Sequence, residues 1–576
     1  MKLRAFTGVG PYASRAIMMQ LEWFMQRMTR PGKGATDRQK RRLTTARYVL
    51  RMGFIASALL ILLCCVERVG ATDELPAFEI QSFIVEGNTL FSEKAVKDIL
   101  EPFRGPGRTS QDVESARGAL EKSYHDKGYP AVLVNIPEQT VEKGIIRLEV
   151  IESTIGMVRI TGNRWFTRKK ILEDLPSLAP GKVIFLPDVQ KDLERIGRND
   201  DLKVSPALTP GKEPGHTDVD IKVDDHPPLH GSLELNNRST HDTTDLRLNA
   251  TLHYDNLWQK GHSISAQYQT SPEDTSEVKL YALSYTLPAP WLIDHQIALF
   301  AIRSESNTIT SAESLLVNGK GTILGLRYVV PLEPYKTYTH NITLGLDYKD
   351  FAETTALSGA DQGAEIKPTT YLPLSFIYSS YLVDSWGGTR FSGGLNVAFR
   401  GFVTDAQQFE NQRANARGNY MYMTAGAERE QKLPGGLSLF LKLDGQLSDQ
   451  PLISTEQYFA GGMTNVRGYK EGEASGDDAL HSTVELHGPD IGLKLNLKDR
   501  FEFIPFVFYD YAWLNVKDAL PGQDEVVRLG GVGAGARGNL HKKNLFYEVA
   551  LAFPVKDTDK TDKYQSRIHF KVGAQF

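Results

Sequence analysis

Cysteine is almost missing from this chain of 576 residues, which holds only the adjacent pair Cys64 and Cys65. A disulfide framework and a cysteine-based zinc site are therefore excluded as organising features. The formal net charge is −4, so no global basic field indicates a nucleic-acid partner. The phosphate-binding loop, the dinucleotide fingerprint, the nucleophile elbow and the His-Glu-x-x-His helix are also lacking. These absences predict no catalytic residue, no metal site and no cofactor.

Long apolar runs are scarce as well. The only strongly apolar stretch is Phe54–Val66, whose 13 residues fall short of the roughly 20 that a membrane-spanning helix needs. The basic stretch Arg38–Arg51 precedes it, and the small-residue motif Val69-Gly70-Ala71 follows it. This order predicts a signal peptide with an extended basic leader over residues 1–71, cleaved after Ala71.

Alternatives to this N-terminal prediction stay open at the level of sequence. The apolar stretch is also compatible with a short signal anchor, and translation could start at Met28 or Met52. Lipidation at Cys64 is disfavoured because Leu63 occupies a position that needs a small residue. Cleavage after Ala71 would leave a mature chain without cysteine.

A tandem repeat follows the predicted cleavage site. Phe83–Asn88 recurs as Val158–Asn163 at an offset of 75 residues. Each copy predicts a strand, a Gly-Asn turn, two helices and two further strands. Ser92 and Thr167 are the predicted N-caps of the first helix in each copy.

This β-α-α-β-β order resembles the POTRA (polypeptide-transport-associated) domain. The first copy, residues 72–152, is similar to the version found in haemolysin-secretion transporters, and the second copy spans residues 153–227. Ser153, where the pattern often has glycine, is a minor departure. The resemblance implies a client-binding region, formed by Gly87, Asn88, Gly128, Tyr129, Pro137 and Gln139.

Residues 228–576 contain about 16 runs of roughly ten residues in which apolar and polar side chains alternate. Runs of this length suit tilted strands that cross a bilayer. Short connections such as Leu257–Gly261 alternate with long polar ones such as Val403–Asn419. The pattern predicts a mainly β fold, in which two α+β POTRA domains precede a transmembrane antiparallel β-barrel of about 16 strands. A soluble β-sandwich is the alternative.

Two short motifs in the predicted barrel resemble signatures of one transporter superfamily. Val466-Arg467-Gly468-Tyr469 lies in a long loop, and Phe508 and Asp510 lie on a later strand. The resemblance implies that the loop folds into the barrel and that Arg467 meets Asp510. Alternation leaves the direction of Asp510 open, but a carboxylate facing lipid would cost several kcal/mol. We therefore expect Asp510 in the lumen.

The resemblance covers residues 78–576 and is to the two-partner secretion transporters (TpsB) of the haemolysin secretion/activation type. It implies a barrel in the outer-membrane lipid, periplasmic POTRA domains, a secreted partner protein and, from the final aromatic Phe576, contact with the barrel-assembly machinery. An assembly factor for other barrels is the alternative, and a passive porin is less favoured. A plug helix does not fit between Thr72 and Ala77, so we expect the in-folded loop to do more of the sealing.

Overall fold

The computed structural model describes residues 77–576 except 142, 293, 307–308, 313–314, 354–367, 400–405, 496–499 and 542–543. The predicted signal peptide, its cleavage site and the question of a plug helix lie outside the described residues. The chain divides into two compact units, the first ending at Glu152 and the second containing Ser153–Phe576 together with Gly128–Ala131. Within the described residues, no helix is both long and apolar enough to cross a bilayer.

The first unit has the predicted order of elements with one additional pair of strands. Its sheet has β5 (Ile145–Glu152) between β2 (Ser82–Glu86) and β4 (Val132–Asn135). The additional strands, β1 (Phe78–Ile80) and β3 (Gly105–Arg108), pair with each other. Sequence did not predict β3 because its four residues, GPGR, have no alternating pattern. The elements are β1 (Phe78–Ile80), β2 (Ser82–Glu86), α1 (Glu93–Leu100), a 3₁₀ turn (Glu101–Phe103), β3 (Gly105–Arg108), α2 (Ser110–Asp126), β4 (Val132–Asn135) and β5 (Ile145–Glu152).

The second POTRA domain repeats this plan inside the second unit, with the sheet order β6-β8-β7. The predicted caps are confirmed in both domains, because Ser92 accepts a hydrogen bond from the Ala95 amide and Thr167 accepts one from the Lys170 amide. The elements are β6 (Thr154–Thr161), α3 (Arg168–Glu173), a 3₁₀ turn (Pro176–Leu178), α4 (Leu186–Ile196), β7 (Leu202–Pro210) and β8 (His216–Asp225).

The repeated Gly-Asn turn has a steric cause. Gly87 and Gly162 adopt φ values of +80° and +93°, and a Cβ on either would lie 2.3 Å from a carbonyl oxygen of the last strand, that of Val150 or Val223. Only glycine tolerates both the positive φ and this approach. The repeat detected in the sequence is therefore a repeat of one backbone contact.

Sixteen strands among the described residues close into an antiparallel barrel, which confirms the prediction. Two of its long connections contain short helices, α5 (Ala406–Gln412) and α6 (Ile491–Lys494), and β14 and β15 form a hairpin within another. The remaining strands are β9 (Leu229–Asn236), β10 (Arg247–Leu257), β11 (His262–Thr270), β12 (Lys279–Pro288), β13 (Gln296–Ser304), β14 (Ile309–Ala312), β15 (Leu315–Asn318), β16 (Lys320–Pro331), β17 (Tyr338–Glu353), β18 (Thr369–Tyr371) with its continuation β19 (Pro373–Asp384), β20 (Gly387–Ala398), β21 (Met421–Lys432), β22 (Ser438–Ser448), β23 (Tyr458–Ala460), β24 (Ala474–Gly476), β25 (Asp478–His487), β26 (Ile504–Asn515), β27 (Val526–Leu540), β28 (Leu545–Pro554) and β29 (Arg567–Gln575).

The outer face of the barrel is apolar and is bounded by aromatic residues at the end that carries the short turns. Leucine, valine and phenylalanine side chains such as Leu252 point outward and are exposed. Four of the short turns each present a strongly exposed aromatic residue: Trp258, Trp291, Tyr335 and Trp386. Such a band and girdle are typical of a barrel that is surrounded by lipid.

The barrel closes between β29 and β9, whose register runs from Lys571 opposite Asn236 to Gln575 opposite Ser232. The Phe576 ring extends this seam and lies against Gly231, where a Cβ would come within 2.4 Å of the ring. The side chain of Asn237 adds hydrogen bonds to the backbone of Ile568 and Phe570.

Candidate functional site

The connection between β22 and β25 folds back into the barrel. It starts at the end opposite the short turns, forms the hairpin of β23 and β24, and carries Val466–Tyr469 at its tip. Residues 466, 467 and 469 are all buried. We call residues 449–477 the in-folded loop, Gly461–Glu473 its tip and the remainder its base.

Arg467 at the tip binds Asp510 on β26 through a two-pronged ion pair. The guanidinium Nε and Nη2 donate to Oδ2 and Oδ1 of Asp510, each over 2.7 Å, and the Arg467 amide donates to Oδ2 over 3.1 Å. Thr483 donates a further hydrogen bond over 2.9 Å. Arg467 is 3 % exposed and Asp510 is fully buried, so the pair is desolvated and its geometry matters.

The wall of β26 faces the lumen with Phe506, Phe508 and Asp510, as the cost of a lipid-facing carboxylate predicts. Val507 and Tyr509 point outward and are about half exposed. The Arg467 Cζ lies 3.5 Å from the centre of the Phe508 ring. The guanidinium therefore has a carboxylate at its edge and an aromatic ring on its face, an arrangement that lysine cannot reproduce.

Three ionisable residues that sequence reasoning missed extend this pair. Glu485 on β25 accepts from Arg467, and its other oxygen accepts from Arg537 on β27 over 2.6 Å and pairs with His487 over 2.7 Å. The Arg537 guanidinium also lies over the Phe506 ring, 4.3 Å from its centre. Acidic and basic groups thus alternate across the wall.

A stripe of glycines on β27 makes room for the tip. In the register, Gly531, Gly533 and Gly535 lie opposite Asp510, Phe508 and Phe506. A Cβ on Gly531 would lie 1.9 Å from the Arg467 carbonyl oxygen. The signal was present in the sequence as glycine at every second position from 531 to 535, but only the register shows what it accommodates.

The other three residues of the motif fix the tip from different directions. Gly468 has a φ of +103°, a conformation that favours glycine, and its amide donates to Nε2 of His569 on β29 over 3.0 Å. The Tyr469 hydroxyl lies within hydrogen-bond distance of two carbonyl oxygens, 2.8 Å from that of Lys556 and 3.2 Å from that of Gly530. Val466 packs with Tyr469 in an apolar cluster between loop and wall.

The base of the loop is held by a second set of buried carboxylates. Asp477 accepts hydrogen bonds from both terminal nitrogens of Arg413, which lies in the connection after β20. It also accepts hydrogen bonds from the backbone amides of Leu452 and Lys517. Glu456 pairs with Lys349 on β17 and accepts the hydroxyl of Tyr371 over 2.6 Å. Sequence reasoning did not find these residues, because they come from strands and connections that are distant in the sequence.

The predicted client-binding residues of the first POTRA domain have internal partners. Gly87 and Asn88 form the turn described above, where Glu152 accepts the amides of Thr89 and Leu90. The Gln139 amide pairs with both backbone groups of Arg147.

The other three lie at the ends of elements. Gly128, with a φ of +101°, follows the end of α2. Tyr129, which groups with the second unit, has its ring 5.0 Å from that of Phe185. Pro137 follows β4. A role in client binding stays a prediction for all six residues.

Comparison with solved structures supports the fold. CdiB from Escherichia coli aligns with a TM-score of 0.62 at 16% identity, covering 99% of this chain and 100% of that one. BamA from Haemophilus ducreyi lacking POTRA domains 1–3 aligns with a TM-score of 0.52 at 13% identity, covering 87% of this chain and 100% of that chain.

Curated relatives are named as transporters. The outer membrane transporter CdiB of Dickeya dadantii (strain 3937) is 21% identical over 72% of each chain. The heme/hemopexin transporter protein HuxB of Haemophilus influenzae (strain 86-028NP) is 21% identical over 81% of this chain and 82% of its own.

Two family models match the chain directly. The ShlB-type POTRA domain matches residues 78–153. The haemolysin secretion/activation protein model ShlB/FhaC/HecB matches residues 215–538, more than half of the chain. The chain therefore belongs to the ShlB/FhaC/HecB family, and is an outer-membrane transporter of the two-partner secretion type with POTRA domains in the periplasm.

Proposed function

We propose that this protein captures one unfolded partner protein at its POTRA domains and passes it through the barrel as the in-folded loop moves aside. The observation that carries the proposal is the tip of the loop, which lies inside the barrel and is held there by ion pairs and hydrogen bonds. Such contacts can be exchanged for contacts with a passing chain, whereas a passive porin would keep an open lumen. The transporter needs no catalytic residue.

Capture would use the free sheet edges of the POTRA domains. In the described part of the first domain, β2 and β4 each pair only with β5 within their sheet. Ile84 on β2 and Leu133 on β4 are exposed beside these edges. An extended segment can add to such an edge through backbone hydrogen bonds while its side chains contact the apolar residues. We further propose that the barrel-assembly machinery inserts the barrel into outer-membrane lipid.

The test is deletion of the gene, followed by comparison of the secreted and outer-membrane proteomes. Loss of one large secreted protein, with the other barrels unchanged, is expected. Loss of many barrel proteins would instead identify an assembly factor. A photo-crosslinker at Leu133 should then capture the lost protein during secretion, whereas one at Glu114 on the exposed side of α2 should not. Equal capture at both positions would contradict the edge as the binding site.

A further inference from the structure

Three potential metal ligands meet where the second POTRA domain touches the barrel. Asp201 lies between α4 and β7, His230 lies on β9 and Asp255 lies on β10. One ligand atom from each lies within 4.8 Å of the others. Asp201 Oδ2 is already 2.9 Å from His230 Nε2. The three residues are distant in the sequence, so no spacing motif predicted the cluster.

The two carboxylates of this cluster lack a permanently charged partner among the described residues. Asp201 is buried and Asp255 is half-buried, yet in the described part of the chain neither carboxylate pairs with a lysine or an arginine. Their ion-pair partners are imidazoles, and a neutral imidazole donates a hydrogen bond without cancelling a charge. Two carboxylates that face each other at this distance repel, and a divalent cation between them would neutralise both.

A second layer of polar groups orients the cluster. His253 lies directly opposite His230 in the strand register, and its Nε2 is 2.9 Å from Oδ1 of Asp255. The Ser263 hydroxyl donates to the same carboxylate oxygen. Metal sites in proteins commonly hold their carboxylate ligands in this way, so that little rearrangement is needed on binding.

We propose that Asp201, His230 and Asp255 bind one divalent transition-metal ion, with Zn²⁺ the best match. One imidazole and two carboxylates form a mixed nitrogen and oxygen donor set that suits Zn²⁺ better than Mg²⁺ or Ca²⁺, which prefer all-oxygen sites. The partly exposed imidazole of His230 leaves a path from the periplasm. Three protein ligands leave a fourth position for water or for His253.

The bound ion would fasten the second POTRA domain to the first two barrel strands. A metal-independent contact already exists there, because Gln259 in the turn after β10 accepts the Thr167 amide and donates to the Trp165 carbonyl. The ion would add a second tether at the same junction. The domain would then lose further rotational freedom at the entrance of the barrel when metal is present.

The test uses the full chain, purified without a histidine tag and stripped with a chelator. Binding of Zn²⁺ is measured by isothermal titration with excess Mg²⁺ present, and Co²⁺ absorption reports the ligand set. The wild type should bind about one ion per chain. Asp201→Asn and His230→Ala should each lose binding, whereas His253→Ala should weaken it by about 10- to 100-fold.

The matched control is His340→Ala, because His340 contacts the Tyr378 hydroxyl and the Glu333 carbonyl and no carboxylate. It should bind Zn²⁺ like the wild type. Heat-modifiable gel mobility checks barrel assembly, and Asp201→Asn, which lies outside the barrel, serves as the test if His230→Ala does not assemble. A wild type that binds no Zn²⁺, or binding that survives Asp201→Asn, would overturn the site.

Discussion

Arg467 at the tip and the two carboxylates at the base of the in-folded loop all form buried ion pairs, but with opposite polarity. At the tip the loop supplies the cation, Arg467, and the barrel wall supplies Asp510. At the base the loop supplies Glu456 and Asp477, and the surroundings supply Lys349 and Arg413. Placing Arg467 at the base would bring it beside Lys349 and Arg413, so the polarity disfavours that arrangement. The tip is also tied to the connection between β9 and β10, where Glu471 pairs with Arg238. The base is tied to β17 and to the connections after β20 and β26.

The largest expected effect comes from breaking the tip. Arg467→Ala and Asp510→Ala should each reduce secretion strongly, because removing one partner of a buried pair costs about 3–5 kcal/mol. The double variant should be little worse than either single one, since both remove the same interaction. Arg467→Lys should retain part of the secretion, because a lysine ammonium cannot reproduce the planar, two-pronged pair that the guanidinium forms with Asp510.

The readout of this double-mutant cycle is secretion of the partner protein, with heat-modifiable mobility as the control for assembly. Strictly additive losses, or wild-type secretion from Asp510→Ala, would show that the pair does not act as a unit.

A steric change on β27 should test the contribution of the tip to secretion independently of the base, because it alters no charge. Gly531→Ala places a methyl group 1.9 Å from the Arg467 carbonyl oxygen, so the tip must retreat at a cost of about 1–3 kcal/mol. Secretion should fall, though less than for Arg467→Ala. Gly393→Ala on β20 is the matched control, because its Cβ would meet nothing within 4 Å. Equal secretion by both variants would mean that the tip does not need the wall.

Breaking the base should affect the closed state more than transport. Asp477→Asn leaves Arg413 without its carboxylate and should cost about 1–3 kcal/mol. The tip keeps its contacts, so we expect more frequent channel openings in planar bilayers with secretion largely retained. A variant with wild-type conductance would indicate that the base adds nothing to closure.

The smallest effect should come from Glu485→Gln. Arg467 keeps both hydrogen bonds to Asp510, and the new amide oxygen still accepts one from Arg467 or Arg537. We expect a partial loss of secretion, smaller than for the other variants, because the lost charge costs about 1–3 kcal/mol but leaves the pair of Arg467 with Asp510 intact. A loss as large as that of Asp510→Ala would place Glu485 at the centre of the tip instead.

The sequence predicted features that depend on neighbours along the chain. The Gly-Asn turns, the N-caps Ser92 and Thr167 and the alternation of the barrel strands are local, and the structure confirms them. The contact between Arg467 and Asp510 could be predicted because the motif resemblance and the cost of a lipid-facing carboxylate agreed. The role of Glu485 could not be predicted, because its position opposite Phe508 follows from the strand register.

The same limit applies to residues that meet through distant connections. Arg413 and Asp477 are 64 positions apart, and Asp201 and His230 belong to different domains. No periodicity links such residues, because the contacts depend on how a completed barrel places its connections. Sequence patterns thus described the elements well and the loop's attachments poorly.

The seam between β29 and β9 has a consequence for the order in which this protein folds. Asn237 forms hydrogen bonds with residues 331 and 333 positions further along the chain. Closing so long a loop carries an entropy cost that is recovered only when the last strand pairs. The POTRA domains, whose contacts span fewer than a hundred residues, can form during export. The POTRA domains would then be folded in the periplasm before the barrel closes. At that stage the barrel sheet would still be open, with β9 and β29 as unpaired edges on either side of the other fourteen strands.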